Sequence, residues 1–525
     1  MNKFNIKQIL KNKNENQPPV KSKAQKMEEY YKNELDKNLS TSITDNMLQL
    51  RKVFSNSSDF ITKDMMVSGH RIFIIYCEGL INLHHLDPLV MSKIYAFNHN
   101  FEGESSKPED LKKWIENNVI LTTGESILFK YGEIFDAIMS GGVAILIDGV
   151  NVALSAGMAG FESRGITEST MEVDMRSSKE SFIEPIKINL TMIRRRIKSP
   201  TLKLESLKIG RKSPTNVALI YLTDAADPKL VQKIKRKLSQ LDIDMLMDSG
   251  YLQSLLAEQK FSIFPEIGYT ERPDIVCNKI IEGRVAILVD DNPYALTIPN
   301  IFIENFQTMD DYTHRPWYAS FMRILRILAF FISILLPGLY VAISEFNPEM
   351  FPQTLLFNVV TAQESTPFPI MVEAFLINIT YELVREASLR LPKQIGSAIG
   401  IVGALVIGES AVSSGIIGSP MVIIVALTAI TSFIVTPIYQ SVCMLKFVFI
   451  ILGGLGGLYG ITLGLIIILM NIVSTNSYNV PMMTPISPFS SPFMQDTMIR
   501  RDWKHLLNHR VKVQNMPGAD KYLRK

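Results

Sequence analysis

Ile324-Leu-Arg-Ile-Leu-Ala-Phe-Phe-Ile-Ser-Ile-Leu-Leu-Pro-Gly-Leu-Tyr-Val-Ala-Ile343 divides the chain in two. Its one charge is Arg326, close to its start, and about twenty helical residues reach across a hydrocarbon core of ~30 Å. His314, Arg315, Trp317, Tyr318 and Arg323 stand just before it, the basic and aromatic flank expected at a bilayer surface. Three further apolar runs follow, Ile395–Ser414, Ile417–Pro437 and Phe447–Val473. Buried helices of soluble domains rarely run so long with so few charges. Residues 319–474 are therefore predicted to form an α-helical polytopic membrane domain.

Upstream the pattern changes. Gly141-Gly-Val-Ala-Ile-Leu-Ile-Asp148, continuing to Ala153-Leu154-Ser155, is matched without gaps by Gly283-Arg-Val-Ala-Ile-Leu-Val-Asp290, continuing to Ala295-Leu296-Thr297. A β-branched run between Gly and Asp reads as a buried strand entering a turn. Arg71-Ile-Phe-Ile-Ile-Tyr76 and Val217-Ala-Leu-Ile-Tyr221 form a second matched pair of strands. Each is followed by an Asp-Pro, Asp87-Pro88 and Asp227-Pro228, read as opening a helix because proline suits a helix's first turn. Short strands of this kind also arise by convergence, but several in the same order favour duplication. The expected fold is an α/β soluble region of two similar subdomains in tandem, 41–163 and 212–318, joined by a connector, 164–211. A cleft between two such lobes is a possible place for a ligand or a partner.

Residues 1–40 are rich in Lys, Asn and Glu and carry no apolar signal core, so a disordered basic tail is expected there. Arg194-Arg195-Arg196 lies in the connector without the aromatic interleaving of a nucleic-acid surface, so salt bridges are expected of it and no nucleic acid. Cys77, Cys277 and Cys443 are far apart, which excludes a disulfide framework or zinc motif and fits a reducing compartment. No phosphate-binding loop, zinc-protease helix, nucleophile elbow or dinucleotide fingerprint is present. His84 and His85 cannot share a helix face, and His505 with His509 lacks a third ligand. No catalytic residue, metal or cofactor is expected; the chain does not read as an enzyme.

The informative stretch is Met371–Arg390, inside the partly apolar segment Phe351–Pro392. Helical spacing puts Asn378, Glu382 and Glu386 on one face, beside a stripe of Phe375, Ile379 and Leu383. Ionisable groups in a membrane-embedded helix usually face a bundle interior or a water path. An interfacial helix with Glu386 and Arg390 as a surface pair is the alternative. Glu373, Asn378, Glu382 and Glu386 are accordingly candidate pore-lining residues, with Glu364 and Glu409 behind them. Gly396, Gly400, Ala404 and Gly408 form a smooth ridge for helix packing, as do Gly453 and Gly457. Residues 475–525 read as a Pro-rich segment and a basic cytoplasmic tail; its Arg500, Arg501, Lys504, Arg510 and Lys512 place both termini inside, with four spans between.

Several stretches carry a family resemblance. Ser320-Phe-Met-Arg-Ile-Leu-Arg326, Leu336-Pro-Gly-Leu-Tyr-Val-Ala-Ile343, Pro367-Phe-Pro369, Glu382-Leu-Val-Arg-Glu-Ala387, Arg390-Leu-Pro392 and Ile407-Gly-Glu-Ser-Ala-Val412 are similar to the GerA-type spore germinant receptor A-subunit family. Asn189 to Arg196, with the stretch to Arg211, resembles the same family, which all but the first forty residues follow. The family usually has Arg-Glu-Gly where this chain has Gln363-Glu364-Ser365. The resemblance implies a subunit of a nutrient receptor in the spore inner membrane. It implies two partners, an amino-acid-transporter-like B subunit and a lipoprotein C subunit. It further implies a homo-oligomeric, nutrient-gated cation channel that triggers germination. A non-conducting scaffold, a secondary transporter and a germinant site in the lobe cleft are the alternatives.

Overall fold

The computed structural model describes residues 23–504 except 56, 101–106, 120–124, 161–171, 173–175, 260, 393–405, 407 and 492. Two five-stranded antiparallel sheets make up the part before the membrane block. The first contains β1 (Phe60–Val67), β2 (His70–Cys77), β3 (Glu125–Leu128), β4 (Gly142–Ile147) and β5 (Ala153–Gly157) in the spatial order β1-β2-β4-β5-β3. The second contains β6 (Leu202–Ile209), β7 (Thr215–Leu222), β8 (Gly268–Thr270), β9 (Val285–Val289) and β10 (Ala295–Ile298) in the order β6-β7-β9-β10-β8. Counted from each lobe's own first strand, the two orders are the same. The repeated apolar runs are β4 and β9, every residue of which is buried, as expected of a central strand covered on both faces.

The repeat extends to side-chain detail. Helices α1 (Ile43–Val53) and α2 (Tyr131–Met139) precede the first sheet and β4; α3 (Ile186–Arg196), α4 (Pro228–Ser239) and α5 (Pro273–Ile281) stand before β6, after β7 and before β9. The aspartate closing each repeated run accepts a hydrogen bond from the first amide of the lobe's leading helix, Asp148 from Ile43 at 3.2 Å and Asp290 from Ile186 at 3.1 Å. A carboxylate there satisfies an orphan amide and meets the positive end of the helix dipole. Asn46 in α1 accepts from the Ser40 amide and donates to the Ser40 carbonyl; Asn189 in α3 does the same with Ile183. Gly141 and Gly283, which open the runs, have φ +85° and +92°, a region that β-carbons disfavour.

Three sequence-based expectations change here. First, 164–211 is no mere connector: α3 and β6 are the leading helix and edge strand of the second lobe, which thus begins well before residue 212. Second, the seam between the lobes is stitched rather than open. Arg194 forms a buried ion pair with Asp59 at 2.7 Å, the Ser58 amide donates to the Leu204 carbonyl, and Lys203 Nζ donates to the Val53 carbonyl at 3.0 Å. Arg195 and Arg196 both pair with Glu180. Third, Asp227 does cap α4, accepting from the Lys229 amide, but Asp87-Pro88 follows a helical turn that Asn82 has already capped.

The C-terminal block is a helical bundle. α6 (Pro316–Phe346) carries the apolar run that divides the chain; α7 (Gln353–Glu364), α8 (Ile370–Arg390), α9 (Ser419–Ile434) and α10 (Tyr439–Ser474) complete it. α10 is a hairpin. Ser441 Oγ donates to the Ile263 carbonyl, while the Ile263 amide donates to Asn471 Oδ1, so both ends of the helix meet one residue of the second lobe. A straight helix would hold Ser441 and Asn471 about 45 Å apart. The reversal falls at Gly457, whose φ and ψ of 55° and −145° no helix contains. Beyond it Gly460 and Gly464 return against Leu452 and Phe449. The turn lies against Phe346 at the end of α6, which marks that end of the bundle as distal to the lobes.

α8 and α9 both run from the distal end toward the lobes. Met371 lies against Gly454 near the hairpin turn, whereas Glu382 reaches Tyr439 at the lobe end. The Gly418 amide, just before α9, donates to Glu373, while Val435 and Ile438 just after it join the lobe's Phe264 and Ile301 in one apolar cluster. Among the described residues two helices have the length and apolarity to cross a bilayer, Pro316–Phe346 and Thr436–Ser474; α9 is shorter. The four predicted spans therefore map onto α6, onto α9, and onto an α10 that doubles back, and Ile395–Ser414 lies largely outside the described residues. The outer faces of α9 and α10 are apolar: Ile423, Ile430, Phe433, Leu455, Ile467 and Met470 are each over 50% exposed.

Residues 475–504 do not form a free tail. β11 (Asn476–Ser477) pairs with β12 (Val480–Pro481), Tyr478 is buried in the second lobe's core, and its hydroxyl donates to the Leu256 carbonyl at 2.8 Å. Residues 505–525 and 1–22 lie outside the described residues, but 23–40 are not the disordered tail expected: Lys23–Leu35 is helical, and Tyr31 and Leu39 are buried in the first lobe's core, whose apolar surface orders the segment.

Candidate functional site

A membrane bundle tolerates charge only where it is paired or wet, so its ionisable groups are the first place to look for function. Glu382, in the middle of α8, is a hub. Its Oε1 accepts from Lys446 Nζ at 3.0 Å, its Oε2 accepts from Arg385 Nε at 2.9 Å, and the Tyr439 hydroxyl lies 2.7 and 2.9 Å from the two oxygens. The Arg385 guanidinium stacks over the Tyr439 ring at 3.9 Å, a cation–π contact. α8 and α10 are thus locked together at the lobe end by one carboxylate between two cations.

The other predicted pore-lining residues are dispersed. Glu373 and Asn378 are buried inside the protomer. Glu373 Oε1 accepts from the Gly418 amide at 2.6 Å, and Asn378 Nδ2 donates to the Ala374 carbonyl one turn back. Both side chains are packed inside the single chain rather than on its outer face. Their shared face exists, but it turns inward at Asn378 and outward at Glu386, an exposed residue that pairs with Arg390. Glu364 and Glu409 are exposed and form no ion pair among the described residues.

Of the predicted packing residues, Gly453 meets Gly338 of α6 so closely that a β-carbon on either would collide with the other helix's backbone. Gly457 supplies the hairpin turn instead of a ridge. Gly408 faces Val422 across an ordinary contact; Gly396, Gly400 and Ala404 lie outside the described residues. The sequence reading missed Lys446, Arg385 and Tyr439. Lys446 had a signal: it is the one basic residue between Lys393 and Arg500, so it needed a carboxylate partner within the bundle. Among the described residues no cluster of His, Cys, Asp or Glu is arranged to hold a metal.

Charge is also sorted along the bundle. No Lys, Arg or His occurs from Ile327 to Val384, from Ser397 to Leu445 or from Phe447 to Ile499. The distal end therefore carries Glu345, Glu349, Glu364, Glu373 and Glu409 with no cation, while Arg323, Arg326, Arg385, Arg390 and Lys446 gather at the lobe end.

Fold and site together define a class of protein with two similar lobes fastened to the charged end of an apolar helical bundle. The family of Bacillus/Clostridium GerA spore germination proteins matches residues 48–512. Spore germination protein KA of Bacillus subtilis (strain 168) is 37% identical over 476 residues, 89% of this chain and 85% of that protein. Spore germination protein GerQA of Bacillus cereus is 35% identical over 458 residues, 86% of this chain and 89% of that one. The crystal structure of the N-terminal domain of the A subunit of the Bacillus megaterium spore germinant receptor GerK3 is similar at 30% identity, with a TM-score of 0.41, covering 51% of this chain and 98% of that one. This chain belongs to the GerA family of spore germination proteins, the family of germinant receptor A subunits.

Proposed function

We propose that the chain is the A subunit of a nutrient germinant receptor in the spore inner membrane, and that several copies assemble into a nutrient-gated cation channel. The separation of charge along the bundle carries this reading. Basic residues at the lobe end match the cytoplasmic side of a membrane protein, which supports an orientation with both lobes and the C-terminal segment inside. α6, α8, α9 and the two arms of α10 then supply five crossings. The apolar run Ile395–Ser414, read from the sequence as a span, lies largely outside the described residues.

An acidic outer end without a single cation concentrates small cations at the mouth of a pore and repels anions. With Glu373 and Asn378 turned inward and Glu382 neutralised, Glu364 and Glu409 are the candidate pore residues that stay exposed without an ion pair among the described residues. The lobes and their helical foot offer docking surfaces for a transporter-like B subunit and a lipoprotein C subunit, and no step calls for a catalytic residue or cofactor. The test is the double substitution Glu364→Gln with Glu409→Gln. Cation release during germination should slow several-fold while the subunits still co-purify. Release at the normal rate in a fully assembled complex would remove these carboxylates from the path.

One observation favours a non-conducting scaffold instead: the strongest charge cluster, around Glu382, is satisfied within one protomer and works equally well as a structural lock. Purified receptor in a planar bilayer separates the two, since a scaffold passes no current at any nutrient concentration.

A further inference from the structure

A cavity of about 850 Å³ opens where the second lobe meets the foot of α6 and the C-terminal segment. Its walls include Tyr269, Glu282 and Asn300 from the lobe, Tyr312 from the foot, Asp496 and Trp503 from the C-terminal segment, and Pro437 from the bundle. The volume suits an organic molecule rather than a bare ion.

Two wall residues have acceptor oxygens to spare. Asn300 is 3% exposed and its Nδ2 donates to the Pro265 carbonyl at 3.1 Å, but its Oδ1 accepts from no donor among the described residues. Gly268, also in the wall, keeps that oxygen open: a β-carbon there would stand 3.0 Å from Asn300 Oδ1 and 2.8 Å from Thr297 Oγ1. Glu282 gives one oxygen to Arg284, yet 38% of its side chain remains accessible. Burial nonetheless pushes its pKa up. Glu282 lines the cavity wall. Arg284 itself is spent, gripped between Glu282 and Glu304. The nearby Asp496 is answered by Arg323 at 2.9 Å. Open acceptors beside aromatic faces are the chemistry that recognises an ammonium group.

We propose that this cavity is a binding site for a small organic ammonium compound, its N–H groups held by Glu282 and Asn300 and its apolar body lying against Tyr269 and Trp503. Because lobe, foot and C-terminal segment all contribute walls, an occupant would fasten the three together next to the start of α6. The assignment goes beyond the conduction reading and holds even for a scaffold.

The experiment uses the full chain in detergent micelles and phenethylamine as probe, with uncharged 2-phenylethanol as its near-isostere, read by titration calorimetry. Phenethylamine should bind saturably, with 2-phenylethanol at least about tenfold weaker. Glu282→Gln removes the charge with little change of shape, and Trp503→Ala removes an exposed wall; each should weaken phenethylamine binding about tenfold or more. Equal binding of amine and alcohol would show an apolar hole only and overturn the proposal. So would an affinity unchanged in both folded variants, or no saturable binding of the amine in the millimolar range.

Discussion

Lys203 shows how much one buried side chain can say about the joint between the lobes. Its ammonium is 1% exposed, bonded to the Val53 carbonyl of the other lobe, and burial lowers its pKa from 10.5 to about 8. The unfolded chain keeps that proton up to about 10.5 while the folded chain gives it up near 8, so the unfolded state binds more protons in between. Stability should therefore rise with pH through that window, and below it the buried charge costs on the order of 3 kcal/mol. Lys203→Met should flatten the pH dependence and leave the protein at least as stable at neutral pH, the lost hydrogen bond offsetting about 1 kcal/mol of the gain. Thermal unfolding at about pH 7 and pH 9.5 tests both; a slope unchanged in the variant would mean that Lys203 is not the group responsible. At this scale the sequence was partly legible. Asp148 and Asp290 stood out as ends of matched runs. The helix starts they cap, 105 and 104 residues upstream, did not, because no short motif marks a helix that precedes its own cap by a hundred residues.

Among the elements, α10 departs furthest from its sequence reading. Glycines at 453, 454, 456, 457 and 460 in an apolar run suit a packing ridge and a reversal equally well, since both need the β-carbon absent. Only the return of Asn471 to Ile263 distinguishes them. The glycines are consequently unequal. A β-carbon at Gly456 meets nothing within 4 Å, whereas one at Gly453 strikes the Gly338 backbone. Gly456→Ala should leave stability unchanged or raise it by about 0.5–1 kcal/mol through helix propensity. Gly453→Ala should lower the detergent melting temperature by several degrees, and equal effects would contradict the α6–α10 crossing. The hairpin itself predicts that cysteines replacing Ser441 and Asn471, in a chain with Cys443 replaced, are labelled from the same side of the membrane. An impermeant thiol reagent that reaches one only from outside and the other only from inside would restore a straight, single-crossing helix. α8 was half legible: its polar face was visible at i, i+4 spacing, but which neighbours that face would meet depended on Lys446 and Tyr439, more than fifty residues away.

Across the whole molecule the decisive joint is the foot of α6, where lobes, bundle and C-terminal segment converge on Arg323. This side chain is 1% exposed; it donates to Asp311 at 2.8 Å, to the Asp496 carboxylate at 2.9 Å, and to the carbonyls of Asp496 and Thr497. Arg326 closes the cluster onto Asp311 at 2.9 Å. Both arginines were legible as the basic flank of a long apolar helix. Asp496, 173 residues away, was not legible as their partner, since a single sequence holds no sign of which distant charges meet. A buried cluster of ion pairs transmits a displacement of one part to the others, because breaking one link leaves an uncompensated charge at a cost of about 3–5 kcal/mol. Asp496→Asn keeps the shape and the carbonyl contacts but removes one of the two anions facing Arg323. The receptor should still assemble and reach the membrane, while its nutrient response weakens by tenfold or more in the concentration needed for half-maximal germination. Arg323→Met should cost far more, failing at accumulation rather than at signalling. Double-mutant analysis of spores carrying Asp496→Asn with Arg323→Lys then decides whether the link conveys the signal: a combined loss no greater than the larger single one places both residues on one mechanical connection, and additive losses place them on separate ones.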